Sequence, residues 1–274
     1  MLTHSCNKKQ KKKKREDDCA NWANKDRRWK VSRRVAVAVS LYQGTVCEST
    51  PYRVAVTVPL SQWYEINDQD EKQVEETVAF AVDKYGSLDI MFSNAGVGSC
   101  GSSILDLDLN GFDNTMAVNL RGAVACIKHA ARVMVERKTR GSIICTASVA
   151  GSVCIGAAAG VSYIASKHGL MGLVRSACGK LGGYGIRVNS VSPYIMATPL
   201  VCKRLDVEAS GVESASVIGS NLQGIVLKPI HVAEAALFLA SDQSAYISGQ
   251  DLAVDGGFLA VNRAIELSLA TLKN

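Results

Sequence analysis

Short apolar runs alternate with helix-length amphipathic segments from Trp63 onward, and this alternation constrains the fold more than any other feature. Strands that are joined through helices pair in parallel, and the helices then cover both faces of the sheet. The predicted strands are residues 88–92, 142–146, 187–191 and 252–254. The predicted helices are residues 72–85, 112–135, 163–181 and 229–239, the first of them ending at Gly86.

Residues 35–62 do not follow this pattern. They contain two strand-like pieces, 35–39 and 54–58, but lack the Gly-x-x-x-Gly-x-Gly turn that opens a dinucleotide-binding unit. The few residues between 58 and Trp63 are too short for a crossover, which takes about 10 to 12 residues or more. We therefore predict one α/β domain over residues 35–262, a Rossmann-like doubly wound parallel sheet with an atypical or incomplete first βαβ unit.

The basic charge of the chain is confined to one end. Residues 1–34 hold 13 Lys and Arg against four acids, whereas residues 35–274 hold 18 against 21. A run such as 8–15 is usually disordered, and a solvated tail or a misplaced gene start is favoured over a nuclear-targeting or anionic-surface role. No nucleic-acid binding is expected of the body, and residues 263–274 are expected to form a second tail.

The cysteine and histidine patterns bear on compartment and metals. Nine cysteines, an odd number, lack Cys-x-x-Cys spacing, and the N-terminal residues contain no apolar signal segment. We expect reduced thiols in a cytoplasmic protein without membrane attachment. Four histidines show no metal-ligand spacing, so no metal site is expected.

Tyr163 and Lys167 carry the clearest chemical signal. Positions i and i+4 share one face of a helix, so the ammonium would lie about one turn from the phenol. A nearby cation favours the phenolate of a tyrosine, whose ordinary pKa is ~10. Ser148, after a predicted strand, would hold a substrate oxygen while Tyr163 exchanges its proton. The neighbouring hydroxyls leave the choice of serine or threonine open: Thr146, Ser152 and Ser162.

Several further segments agree with that group in order and distance. They are Asn94-Ala95-Gly96 after a predicted strand, Asn119 within 116–122, and Arg187-Val188-Asn189-Ser190-Val191-Ser192-Pro193 after the tyrosine helix. Together they resemble the short-chain dehydrogenase/reductase family nearly continuously over residues 63–262. The resemblance is closest to the plant branch of secoisolariciresinol dehydrogenase, momilactone synthase and monoterpenol (borneol, isopiperitenol) dehydrogenases, through residues 141–148, 185–192 and 236–257.

The resemblance implies a four-residue catalytic site. Tyr163 would be the acid/base, Lys167 would lower its pKa and hold the nicotinamide ribose, and Ser148, favoured by the alignment, would orient the substrate oxygen. Asn119 would hold a water that links Lys167 to bulk solvent. As an alternative, Asn119 is a plain distortion of its helix.

The same resemblance implies a cofactor site for NAD, with NADP not excluded. The expected contacts are Asn67, Asp68, Asn94, Ala95, Gly96, Tyr163, Lys167, Pro193, Ile195 and Thr198. Which of Asn67 and Asp68 lies near the adenine stays open, and a helix N-terminal cap is an equally good role for them. The Gly-x-Gly-x-x-Gly match over residues 96–101 is discounted as a phosphate cradle, because 102–110 resembles a loop and not the start of a helix.

The expected substrate is a hydrophobic secondary alcohol or ketone, terpenoid- or lignan-like, as in plant secondary metabolism. The residues expected to line its pocket are apolar, with little charge nearby: Val149, Val153, Cys154, Ile155, Met196, Leu200 and Val201. Family resemblance also implies a homodimer or homotetramer. The alternative to an oxidoreductase is a catalytically impaired binding protein or defective gene product that lacks the phosphate loop.

Overall fold

The computed structural model describes residues 36–42, 53–58, 62–66, 70–99, 103–155 and 159–261. Seven strands form one sheet: β1 (Ala36–Tyr42), β2 (Arg53–Val58), β3 (Gln62–Ile66), β4 (Ile90–Ser93), β5 (Ser142–Thr146), β6 (Arg187–Pro193) and β7 (Asp251–Val254). Their spatial order is β3-β2-β1-β4-β5-β6-β7. Strands β1, β4, β5, β6 and β7 pair in parallel, which confirms the predicted α/β fold.

The first part of the sheet differs from a parallel arrangement. Val39 of β1 lies opposite Val56 of β2, and Val56 lies opposite Tyr64 of β3, both in antiparallel register. Antiparallel neighbours need only a turn between them, whereas parallel ones need a crossover. The predicted atypical first unit is therefore an antiparallel meander, and its third strand, 62–66, is one that the sequence did not predict.

The helices are α1 (Glu71–Tyr85), α2 (Leu109–Met116), α3 (Ala123–Glu136), α4 (Val161–Leu181), α5 (Pro199–Leu205), α6 (Ala209–Gly219) and α7 (Pro229–Ala240). Gly86 ends α1 in the left-handed conformation, as predicted, and its N–H donates to Val82 O. The single helix predicted over 112–135 is wrong in detail, because a π-helical segment, Ala117–Gly122, separates α2 from α3. Helices α5 and α6 were not predicted.

The core lies on both faces of the sheet. On one face, Val78 of α1, Met134 of α3 and Leu170 of α4 pack against Met91 and Ile143. On the other face, Leu239 and its neighbours on α7 pack against Ile90, Ile144 and Val191. Adjacent strand residues thus point to opposite faces, which is why these strands are apolar at consecutive positions.

Candidate active site

The predicted catalytic side chains meet where the parallel strands end. Ser148 follows β5, Asn94 follows β4, and Tyr163 and Lys167 lie one turn apart on α4. The carboxyl ends of parallel strands share one edge of the sheet, and ligands bind there in open α/β folds. The fold therefore gathers residues that lie up to 73 positions apart between Asn94 and Lys167.

Lys167 is a buried cation, with 3% of its surface exposed. Its Nζ donates to the backbone oxygen of Thr146 at 2.8 Å and lies 5.6 Å from the centre of the Tyr163 ring. Burial lowers the pKa of Lys167 to about 8, against a smaller opposing effect of the Cys145 thiol. Holding a cation here is costly for the fold, which is typical of a functional lysine.

The phenol of Tyr163 has its pKa raised, mainly by burial. A hydrogen bond with Ser148 and the charge of Arg204 act in the opposite direction. The expectation of a net lowering by Lys167 is thus not met, because desolvation of the phenolate outweighs the favourable neighbours. The groups that favour the phenolate here are a hydroxyl and a guanidinium.

Of the three hydroxyls that were alternatives to Ser148, two have other partners and one, in the described part of the chain, has none. Thr146 Oγ1 donates to Asn94 Oδ1 at 2.6 Å, and Ser152 Oγ lies 3.7 Å from Met171 Sδ. Ser162 Oγ is buried and has no hydrogen-bond partner among the described residues. Ser148 Oγ accepts from Ala150 N at 3.2 Å and bonds with Tyr163, so it is the hydroxyl beside the phenol.

Asn119 lies in the π-helical segment and is 1% exposed. Its Oδ1 accepts from Val97 N at 2.7 Å, and its Nδ2 donates to Val97 O at 3.0 Å and to Ser166 Oγ at 3.0 Å. Single π-helical turns in α-helices are frequent at functional sites. The side-chain amide therefore braces the loop after β4 against α4.

The loop after β4 approaches the site closely at Gly96. A Cβ built on Gly96 would lie 3.5 Å from both Asn119 Oδ1 and Lys167 Nζ. Ala95 before it is buried, and the side chain of Asn94 is held by Thr146. The predicted contacts Asn94, Ala95 and Gly96 thus border the catalytic group directly.

The predicted contacts after β6 are Pro193, Ile195 and Thr198. Pro193 ends β6 opposite Val254 of β7, and Ile195 lies in the turn that follows. Thr198 is the N-cap of α5, where its Oγ1 accepts from Val201 N at 3.3 Å, and Pro199 is the first helical residue. A Thr-Pro pair is a helix-start signal, so the sequence contained the information for α5.

Asn67 and Asp68 lie outside the described residues, as do the lysine run at 8–15 and the tail at 263–274. The N-cap of α1 is Asp70, and not Asn67 or Asp68. The carboxylate of Asp70 accepts from Lys72 N at 3.0 Å and from Gln73 Nε2 at 3.1 Å.

The residues expected to line a substrate pocket have mixed surroundings. Val149 is buried, Met196 packs against the core below α7, and Val153 is 38% exposed. Leu200 lies near the loop after β4, since its Cδ1 is 3.6 Å from a Cβ built on Gly98. The expectation of little charge nearby is wrong, because the guanidinium of Arg204 acts on Tyr163. No sequence motif marked Arg204.

Other expectations concern groups away from this site. Among the described residues, no cluster of three or more His, Cys, Asp or Glu side chains is placed to bind a metal ion. Within the same part of the chain, none of the helices combines the length and apolarity needed to cross a membrane. The described cysteines are free thiols: Cys126, Cys145, Cys154, Cys178 and Cys202.

The fold and this group of side chains place the chain among α/β oxidoreductases. A family model described as enoyl-(acyl carrier protein) reductase matches residues 35–259. With this match and the relatives that follow, the chain belongs to the short-chain dehydrogenase/reductase family.

Short-chain dehydrogenase reductase 3b of Arabidopsis thaliana is 56% identical over 208 residues, which are 76% of this chain and 80% of that protein. The (−)-isopiperitenol/(−)-carveol dehydrogenase, mitochondrial, of Mentha piperita is 50% identical over 189 residues, 69% of this chain and 71% of that protein. The solved structure of ElxO with NADP bound is 28% identical with a TM-score of 0.65, and the match covers 72% of this chain and 78% of ElxO.

Proposed function

We propose that this chain oxidises a hydrophobic secondary alcohol to a ketone, or catalyses the reverse reduction, with NAD(P) as the hydride carrier. The observation that carries the proposal is that Ser148 hydrogen-bonds with the Tyr163 phenol while the Lys167 ammonium lies 5.6 Å from the centre of the same ring. The naming of a related protein for isopiperitenol and carveol, both cyclic monoterpenols, supports an alcohol of that kind.

In this proposal Tyr163 takes the hydroxyl proton of the alcohol, and Ser148 donates a hydrogen bond to the same oxygen. Ser148 and Arg204 favour the charge that forms on the phenol, and Lys167, whose Nζ lies 5.6 Å from the ring centre, would hold the nicotinamide ribose. Asn119 acts through the loop that it braces, and by resemblance to the family it would hold a water that links Lys167 to bulk solvent. The nicotinamide, when bound, supplies or accepts the hydride.

The residues near the four-residue catalytic site fit the nicotinamide end of such a cofactor. Gly96 allows close backbone approach, and the buried ammonium of Lys167 is a donor for ribose hydroxyls. Pro193, Ile195 and Thr198 would border the nicotinamide, and Asn67 or Asp68 the adenine. NAD is the proposed cofactor and NADP the alternative, while ElxO has NADP bound.

The phosphate end is where the chain departs from the family pattern. In a dinucleotide fold the pyrophosphate lies at the N-terminus of the helix that follows the first strand. Here β1 is followed by an antiparallel neighbour, so the chain folds back along β1. This arrangement favours the rival proposal, a binding protein with impaired catalysis or a defective gene product.

We also propose that the chain forms a homodimer or homotetramer in the cytoplasm. A shallow apolar groove on the helical face formed by α2 and α3 supports self-association, and it is lined by Asp113, Met116, Ala117, Leu120, Arg121 and Val124. The free thiols of the described cysteines support a reducing compartment. Light scattering of wild type and Val124→Glu would test the assembly, since a charge in the groove should lower the oligomer mass.

Titration of the purified full chain with NADH, followed by fluorescence, separates the enzyme from its rival. We expect saturable binding, and turnover of carveol with NAD that falls at least ~100-fold in Tyr163→Phe. Tyr184→Phe is the matched control, because Tyr184 is 58% exposed and lies beyond α4. Absence of saturable NADH and NADPH binding would overturn the proposal and support the binding-protein alternative.

A further inference from the structure

Arg204 connects helix α5 with the loop that follows β4. Its Nη1 donates to Ser99 O at 2.6 Å and lies 3.3 Å from Ser99 Oγ. A Cβ built on Gly98 would lie 3.8 Å from Arg204 Cδ and 3.6 Å from Leu200 Cδ1. One charged and one apolar side chain of α5 therefore contact two consecutive residues of the loop.

The other end of this loop is fixed to the catalytic group. Asn119 holds both backbone polar atoms of Val97, and Gly96 lies against Asn119 and Lys167. Only one residue, Gly98, separates Val97 from Ser99. The loop is thus held on one side by Asn119 and on the other by Arg204.

Helix α5 follows directly from the segment that borders the presumed substrate side of the site. Thr198 caps it, and Ser99 is buried where the loop meets it. Hydrogen bonds from a charged donor are shorter and stronger than neutral ones, and Arg204 supplies such a bond between the seven-residue helix α5 and Ser99.

We propose that Arg204 is a positioning residue that docks α5 onto the loop of Gly96, Val97, Gly98 and Ser99 and thereby closes the substrate side of the site beside Tyr163. The docking contact is independent of turnover, whereas its effect on catalysis rests on the proposed function. The charge of Arg204 also opposes, after the larger effect of Ser148, the rise in the pKa of the Tyr163 phenol that burial causes, so the docked helix favours the base form that alcohol oxidation needs.

Hydrogen exchange of the full-length protein, read by mass spectrometry, tests the docking without any substrate. Arg204→Gln should speed exchange in peptides covering 97–99 and 199–205 by roughly tenfold, and Arg204→Lys should restore part of the protection. Arg175→Gln, which removes an exposed charge from α4, should leave both segments unchanged. Equal exchange in wild type and Arg204→Gln would overturn the docking.

The pH profile of kcat/KM for carveol oxidation tests the effect on Tyr163. In Arg204→Gln the ascending limb should move to higher pH by roughly 0.5, and in Arg204→Lys it should return toward wild type. An unchanged limb in Arg204→Gln would overturn the electrostatic role, since loss of packing alone lowers the rate without moving the limb. Wild type that binds no NADH would refute the proposed function, and hydrogen exchange would still decide the docking.

Discussion

The side-chain amide of Asn119 forms a two-way hydrogen bond with the backbone of Val97, at 2.7 Å to its N–H and 3.0 Å to its carbonyl oxygen. The amide thereby satisfies both backbone polar groups of Val97, as a neighbouring strand would do inside the sheet. A third bond, to Ser166 Oγ, ties the same amide to α4.

Replacement of Asn119 by alanine should destabilise the fold. Both backbone groups of Val97 would lose their partner in a buried site, and a buried unsatisfied group costs about 1–3 kcal/mol. Ser166→Ala removes only one of the three contacts and should cost less. Urea denaturation of the two variants checks this order, and equal free energies of unfolding for wild type and Asn119→Ala would contradict it.

Lys167→Met should abolish turnover but leave the fold at least as stable at pH 7. Below about pH 8 the lysine is protonated in both folded and unfolded chains, so the folded chain bears the full cost of the buried charge. The difference between this pKa and the ordinary value of 10.5 corresponds to a destabilisation of the folded wild type on the order of 3 kcal/mol. The variant gains less than this, because it also loses the hydrogen bond to Thr146 O.

The advantage of Lys167→Met should shrink as the pH rises. Between about pH 8 and 10.5 the folded wild type has released the proton that the unfolded chain still binds, so wild-type stability increases with pH. Denaturation at pH 7, 9 and 10 measures the free energy of unfolding of both proteins. If the advantage of Lys167→Met over wild type grew with pH, the prediction would be contradicted.

Two glycines of the same region should respond oppositely to alanine. A Cβ on Gly151 would lie 2.9 Å from the backbone oxygen of Lys167, which cannot yield without moving α4. Gly151→Ala should therefore destabilise the protein by about 1–3 kcal/mol and reduce activity. Gly172 lies inside α4 with no atom within 4 Å of its would-be Cβ, so Gly172→Ala should stabilise by roughly 0.5–1 kcal/mol. Thermal unfolding of the two variants and of wild type checks both expectations.

Alcohol oxidation should accelerate toward alkaline pH, and ketone reduction should slow. Oxidation needs the phenolate of Tyr163, and burial raises the pKa of this phenol above its ordinary value. Initial rates in both directions from pH 6 to 10 check the opposite slopes. Parallel slopes would point to a different titrating group.

The buried parallel strands could be predicted because their residues are apolar on both faces, as Ile143 and Ile144 of β5 illustrate. Tyr163 and Lys167 could be paired because helical spacing is local. The contact between Arg204 and Ser99 could not, since the two residues lie 105 positions apart and no motif joins them. The π-helical segment around Asn119 escaped prediction because one widened turn barely changes the apolar period.

The antiparallel meander of β1, β2 and β3 has a consequence for solubility. Strand β4, with Ile90 and Met91 buried, would be the outermost strand of the parallel sheet if the meander were removed. A bare edge with unpaired backbone groups and apolar side chains is a template for aggregation. The meander therefore shields that edge. A chain that begins at residue 70 should precipitate even though its catalytic residues are intact.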